Sequence, residues 1–147
     1  MHRMAPLRPV LGRIEAATSD DLAFDFLVEK LGKQRFTNHE MALARDGRPN
    51  ILGFVRNWSN GIADVVVIFN ETTACAWRTT DGYDGDVFAP DTVTWSYAYT
   101  PVWTLRAVLS MPPSGHPNEP LQPMPLPAGC KIPETARRNQ RIRMRQH

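Results

Sequence analysis

The chain has 147 residues and a formal net charge of +2, a length typical of one folded domain. It holds only two cysteines, Cys75 and Cys130, which argues against a disulfide framework or a cysteine-based zinc site and fits a reducing, cytoplasmic compartment. No apolar run approaches the ~20 residues that a membrane-spanning helix needs, so we expect no membrane association.

Charge is distributed unevenly along the chain. Residues 1–14 contain three arginines and no acid, and residues 131–147 contain six basic residues and one acid. The segment between them has eight basic and fourteen acidic residues. Such a chain either folds its basic tail back onto the acidic body or offers the tail to an anionic partner. The excess of arginine over lysine, 14 to 3, is typical of a GC-rich bacterial genome.

The first part of the chain predicts a basic arm followed by two helices. Residues 1–17 carry prolines and arginines and form the arm. A helix begins after Thr18 or Ser19, which are good N-caps, and runs to about Leu31. Its apolar stripe, which we expect to cover a sheet, contains Leu22, Phe26 and Leu31, with Phe24 and Leu27 beside them. A second, short helix is predicted over residues 40–45.

The most regular pattern lies in residues 50–79 and predicts a three-stranded meander. Asn60-Gly61 stands between two apolar runs, which is the strongest short signal for a two-residue hairpin turn. A second tight turn is expected at residues 70–73. With these turns, Phe54 pairs with Val67 and Val55 pairs with Val66.

Side chains alternate between the two faces of a strand, so Ala74 and Ala76 share a face with Phe54 and Val67. Cys75 and Trp77 lie on the opposite face. Small alanines beside large aromatic residues favour a helix packed closely on the first face. The strand at residues 65–68 is apolar on both sides, which predicts a central strand covered on both faces.

The rest of the folded part is predicted from aromatic alternation and a helix-start signal. Residues 80–92 form a loop rich in glycine and aspartate, and residues 92–99 form a fourth strand. Thr100-Pro101 is typical of an N-cap followed by proline in the first helical turn, so a helix is predicted over residues 102–111.

The C-terminal part predicts extended structure. Residues 112–133 hold 8 prolines in 22 positions and form a proline-rich arm, and residues 134–147 form a basic tail. The expected fold is therefore an α+β domain at residues 18–111, with a mainly antiparallel sheet of about four strands. One helix precedes the sheet and another follows its fourth strand.

The basic tail is the first candidate binding segment. Arginines on a flexible segment neutralise phosphates, and beside Ile142 and Met144 they also suit an acidic groove on a protein. The basic residues concerned are Lys131, Arg137, Arg138, Arg141, Arg143 and Arg145. The simplest alternative is a solvated tail that binds nothing.

Two further sets of residues are candidate sites. The aromatic residues Trp95, Tyr97, Tyr99 and Trp103 form either a ligand-binding face or part of the core. Asp81, Asp84 and Asp86 offer oxygen ligands for a hard cation, but their spacing does not match the EF-hand loop, which favours a solvated loop.

No sequence pattern of a catalytic site is present. The chain contains no nucleophile-elbow, P-loop or dinucleotide-binding glycine motif, and its four histidines are scattered. We therefore predict a non-enzymatic protein without a cofactor.

Three hypotheses of function follow. The leading one is a non-enzymatic accessory or adaptor protein that binds another macromolecule, most simply a protein partner or complex, through its proline-rich arm and arginine-rich tail. The second is a nucleic-acid-associated protein whose tail arginines contact phosphates. The third is a small ligand-binding protein or enzyme that uses the aromatic face and the acidic loop.

Overall fold

The structure, a computed structural model, describes residues 19–80, 82 and 85–143. The helices in this part of the chain are α1 (Ser19–Lys33), α2 (Pro101–Leu109) and α3 (Glu134–Arg138), with a short 3₁₀ helix at Ala128–Cys130. The strands are β1 (Thr37–Leu43), β2 (Pro49–Asn57), β3 (Ala63–Ile68), β4 (Ala74–Thr79), β5 (Thr92–Val93), β6 (Trp95–Tyr99), β7 (Met124–Pro125) and β8 (Gln140–Arg143).

The main sheet confirms the antiparallel α+β prediction but is larger than expected. Within the described residues it has six strands in the order β6-β4-β3-β2-β1-β8, and all neighbours are antiparallel. The prediction of about four strands was wrong because β1 and β8 were not foreseen as strands. Every residue of β3 is buried, so the prediction of a central strand covered on both faces is confirmed.

The hairpin between β2 and β3 was predicted with a turn one residue too short. The Trp58 amide donates to the Ile62 carbonyl at 2.8 Å, which leaves a three-residue loop. Gly61 ends that loop with φ +83°, the left-handed conformation that three-residue hairpin loops require. As a result Phe54 pairs with Val66, not with Val67.

A shift of one residue exchanges the two faces of a strand. In the structure Val66 and Ile68 therefore share the helix side of the sheet with Phe54, Ala74 and Ala76. Val65 and Val67 lie on the other side with Cys75 and Trp77. The alternation was predicted correctly in β2 and β4, and the faces of β3 were reversed.

The predicted helix over residues 40–45 is wrong, because this segment belongs to β1. Met41 of β1 is completely buried, and β1 pairs with β2 on one side and with β8 on the other. A six-residue helix has little stability of its own, so the ladder of two neighbouring strands decides the conformation.

The two long helices cover one face of the sheet. Leu27 and Leu31 of α1 and Leu105 and Val108 of α2 are buried there, and α2 packs on β4 where Ala76 leaves room for it. The predicted start of α2 at Thr100-Pro101 is confirmed. The predicted stripe of α1 was partly wrong, since the side chains of Leu22 and Phe26 are 62% and 58% exposed.

The opposite face is covered by the C-terminal part of the chain. Leu126, Cys130, Ile132 and Ala136 are buried there beside Val65, Trp77 and Phe88. Residues 112–133 thus lie partly on the body, and an extended arm is not confirmed. No helix in the described ranges is long and apolar enough to cross a bilayer.

Candidate functional site

A cleft of about 430 Å³ opens where α1, α2, β6 and the turn between β3 and β4 meet. This volume lies within the range of small-ligand sites. Its apolar walls come mainly from Phe24, Tyr99, Val102 and Trp103, and its charged groups are Asp21, Glu71 and Arg106. We call it the aromatic cleft.

The local sequence explains why Tyr99 and Trp103 meet. Strand β6 ends at Tyr99, and Thr100 keeps extended dihedrals (φ −71°, ψ 160°) before Pro101 starts α2. The chain turns within these residues, so the first turn of α2 brings Trp103 to the end of β6. Arg106 lies one turn further on, and its guanidinium carbon is 5.0 Å from the centre of the Trp103 ring.

The cleft exposes aromatic surface and carries more negative than positive charge. Tyr99 and Trp103 are 59% and 51% exposed, although large aromatic side chains usually find most of their partners within the fold. The carboxylates of Asp21 and Glu71 line the described walls together with the guanidinium of Arg106. This arrangement favours a cationic group, because aromatic faces also attract cations.

The cleft lies at the end of an open edge of the sheet. Within the described ranges β6 pairs only with β4, and its sequence contains no charged residue. The edge strand at the opposite end, β8, carries Arg141 and Arg143. Charged side chains protect an edge from pairing with another strand, so β6 is the less protected edge.

The structure divides the aromatic residues predicted as a ligand face. Tyr99 and Trp103 line the cleft, whereas Trp95 packs against the helix-side core. Tyr97 stacks on Trp95 with ring centres 6.4 Å apart and planes inclined by 14°. Of the four residues, only Tyr99 and Trp103 reach the cleft.

The basic tail, as far as Arg143, folds back onto the body. Arg141 and Arg143 reach the two oxygens of Glu40 at 2.6 and 3.2 Å, and Arg137 contacts Asp86 at 2.7 Å. Arg138 lies 3.7 Å from Glu134, with both side chains mostly exposed, and Lys131 is exposed. Arg145 lies outside the described residues, so binding by the tail stays a prediction.

The acidic loop is described only in part, since Asp81 and Asp84 lie outside the described residues. Asp86 accepts a hydrogen bond from the Phe88 amide at 2.9 Å in addition to its contact with Arg137. Among the described residues, no three histidine, cysteine or carboxylate groups are placed to hold a metal ion.

A buried ionic network was not foreseen from the sequence. Asp64 and Arg78 face each other on β3 and β4, and Arg56 also reaches Asp64. The Arg56 guanidinium stacks between Phe36 and Trp58, at 4.6 and 4.5 Å from the ring centres. The sequence signal for this network was the pair of opposite charges, Asp64 and Arg78, on two neighbouring apolar strands. The network packs within the fold, so we interpret it as structural.

Comparison with known proteins gives no guide to function. No protein-family model, no curated protein and no solved structure matches this chain. Its function therefore has to be inferred from its own residues.

Proposed function

We propose that this protein is a non-enzymatic binding protein that holds an extended segment of a partner protein. The backbone of the segment pairs with β6, and a basic side chain of the segment enters the aromatic cleft. The observation that carries this proposal is the position of the cleft at the end of an uncharged, open edge strand.

Pairing with β6 supplies affinity that does not depend on the partner's sequence. An extended peptide that adds to the edge of a sheet gains main-chain hydrogen bonds, and pockets beside the edge select its side chains. Ala98 and Tyr99 are exposed at this edge, so they leave the backbone accessible. The cleft at the C-terminal end of β6 then provides the selecting pocket.

The charges of the cleft support a lysine or arginine side chain as the selected group. The alkyl stem of either side chain can lie on Tyr99 and Trp103, while the charged end approaches Asp21 and Glu71. The contact between Arg106 and Trp103 is an example of the same attraction within the chain.

Binding is the role that we propose for the cleft, whose described walls combine aromatic faces with the carboxylates of Asp21 and Glu71. This proposal keeps the idea of an accessory protein and moves its binding site from the tail to the edge of the sheet.

The test uses a library of random peptides displayed on phage and selected on the whole protein. We expect the enriched peptides to share a basic residue within a β-prone segment. Their affinity, measured by titration calorimetry, should fall at least about tenfold in Trp103→Ala, which corresponds to ~1.4 kcal/mol. The matched control is Leu121→Ala, which removes an exposed apolar side chain elsewhere.

A second variant separates strand pairing from the cleft. Ala98→Lys places a charge on the exposed edge, which opposes strand addition and leaves the cleft residues in place. We expect the selected peptides to lose affinity for this variant also. Equal affinity for the wild type, Trp103→Ala and Ala98→Lys would show that the peptides bind elsewhere, and the proposal would then be abandoned.

A further inference from the structure

The only two cysteines of the chain meet in the core, although they are far apart in the sequence. Cys75 and Cys130 are 1% and 0% exposed and belong to the same apolar cluster. This cluster lies on the face of the sheet opposite α1 and α2, so the pair is separate from the aromatic cleft. Both thiols are free in this structure.

The contact joins the middle of the sheet to the C-terminal segment. Cys75 lies on β4 and donates a hydrogen bond to the Gly129 carbonyl at 3.5 Å, and Cys130 is the last residue of the 3₁₀ helix. The interaction between the two thiols raises the pKa of Cys75 and lowers the pKa of Cys130, so Cys130 is the better thiolate of the pair.

The segment that Cys130 holds is important for the fold. Residues 124–143 include β7, α3 and β8, and they contribute Leu126, Ile132 and Ala136 to the core. While both thiols are free, no disulfide attaches this segment to the sheet. Its ends and irregular stretches are the kind of structure that opens locally before the whole domain unfolds.

We propose that Cys75 and Cys130 form a reversible disulfide that fixes the C-terminal segment onto β4 under oxidising conditions. The oxidant is a small-molecule disulfide such as oxidised glutathione. The Cys130 thiolate attacks one of its sulfurs and releases one molecule of reduced glutathione. The Cys75 thiolate then attacks the Cys130 sulfur of the mixed disulfide and releases the second, so two protein thiols are oxidised and one glutathione disulfide is reduced.

Burial of the pair determines when this reaction takes place. Neither sulfur is accessible in the closed fold, so the first step needs a transient opening of the C-terminal segment. Closure then brings Cys75 onto the mixed disulfide and completes the bond. The disulfide therefore forms only under oxidising conditions, and once formed it prevents the C-terminal segment from opening.

The experiment incubates the full chain with oxidised and reduced glutathione in different ratios and measures intact mass without reductant. We expect a monomer that has lost two hydrogens and carries no glutathione. Its midpoint of thermal unfolding should rise by on the order of 10 °C, because the bond closes a long loop. Hydrogen exchange should slow in residues 124–143, and dithiothreitol should reverse all three changes.

The controls are Cys75→Ala and Cys130→Ala, each of which should stop at a protein–glutathione mixed disulfide. If both variants fail to fold, the wild type still decides the question. Oxidation of the wild type in urea concentrations below the unfolding transition should then be faster than in buffer. In the wild type, a stable mixed disulfide, a covalent dimer or two thiols that stay reduced under these conditions would overturn the proposal.

Discussion

Asp64 and Arg78 form an ion pair that is closed off from solvent in the middle of the sheet. Arg78 Nε lies 2.6 Å from Asp64 Oδ1, and the two side chains are 0% and 1% exposed. Asp64 Oδ2 also accepts hydrogen bonds from Arg56 and from the Trp58 indole, at 3.0 and 2.9 Å. The Asp64 carboxylate thus accepts hydrogen bonds from three side chains, those of Arg56, Trp58 and Arg78.

The first prediction concerns the loss of this carboxylate. Asp64→Asn keeps the shape but leaves the Arg78 guanidinium buried without its main counter-charge, so the free energy of unfolding should fall by roughly 3–5 kcal/mol. Urea unfolding followed by circular dichroism measures the change. The control is Asp46→Asn, whose exposed partner Arg48 lies at 3.5 Å, and which should cost less than about 0.5 kcal/mol. Similar costs for both variants would contradict the prediction.

The second prediction concerns the attachment of β8. Glu40 is buried on β1, and its two oxygens hold Arg141 and Arg143 of the edge strand. Glu40→Gln removes the negative charge and should reduce the free energy of unfolding by about 1–2 kcal/mol. The expected loss is this small because both arginines are about half exposed or more, so solvent screens their attraction to Glu40.

Hydrogen exchange shows where this loss occurs. We expect faster exchange in residues 140–143 of Glu40→Gln, because the β1–β8 pairing loses its side-chain support. Glu134→Gln removes the exposed contact with Arg138 and should leave the exchange of β8 unchanged. Unchanged exchange in both variants would mean that the main-chain hydrogen bonds alone hold β8.

The third prediction concerns the pH dependence of stability through His39. This side chain packs with its ring edge against Phe88, and burial lowers its pKa below the ordinary value of 6.5, while the Gln140 side chain opposes the shift. As the pH falls below 6.5, His39 therefore binds a proton more readily in the unfolded chain than in the folded chain. The contribution of His39 to stability is complete above 6.5 and is lost as the pH falls through the lower pKa of the folded state.

The measurement compares urea unfolding of the wild type and His39→Gln between pH 7 and about pH 5. The wild type should lose more stability over this interval than the variant does. Protonation of carboxylates affects both proteins and cancels in the difference. Equal losses in the two proteins would show that His39 does not contribute, and a smaller loss in the wild type would reverse the sign of the argument.

Features that depend on neighbouring residues were predicted well. Thr100-Pro101 defines the start of α2 because proline fits the first turn of a helix and needs no amide donor there. Asn60-Gly61 indicated a hairpin because asparagine and glycine tolerate the positive φ of a tight turn, which is also a local property. The predicted length of its loop, two residues, was wrong, because loops of two and three residues both use these residues, and the choice between them depends on which pairing buries β3 best.

The candidate site was predicted only in part. Tyr99 and Trp103 were named as members of a candidate aromatic face, and the structure brings them together at the end of β6. Phe24, Asp21 and Glu71 come from α1 and from the turn between β3 and β4, and no local pattern links them to Tyr99. Phe24 and Asp21 reach the cleft because α1 packs against α2, and Glu71 reaches it from the turn between β3 and β4.

The sequence by itself determined the class of the fold, the central position of β3 and the start of α2, since periodicity and turn chemistry are properties of short segments. Only the tertiary structure decided that residues 37–43 are a strand, that Arg141 and Arg143 face Glu40, and that Cys75 lies against Cys130. Each of these features needs a partner distant in the chain. Its stability comes from burying both partners together, which must exceed the entropy cost of closing a long loop, and no short segment of the sequence shows this balance.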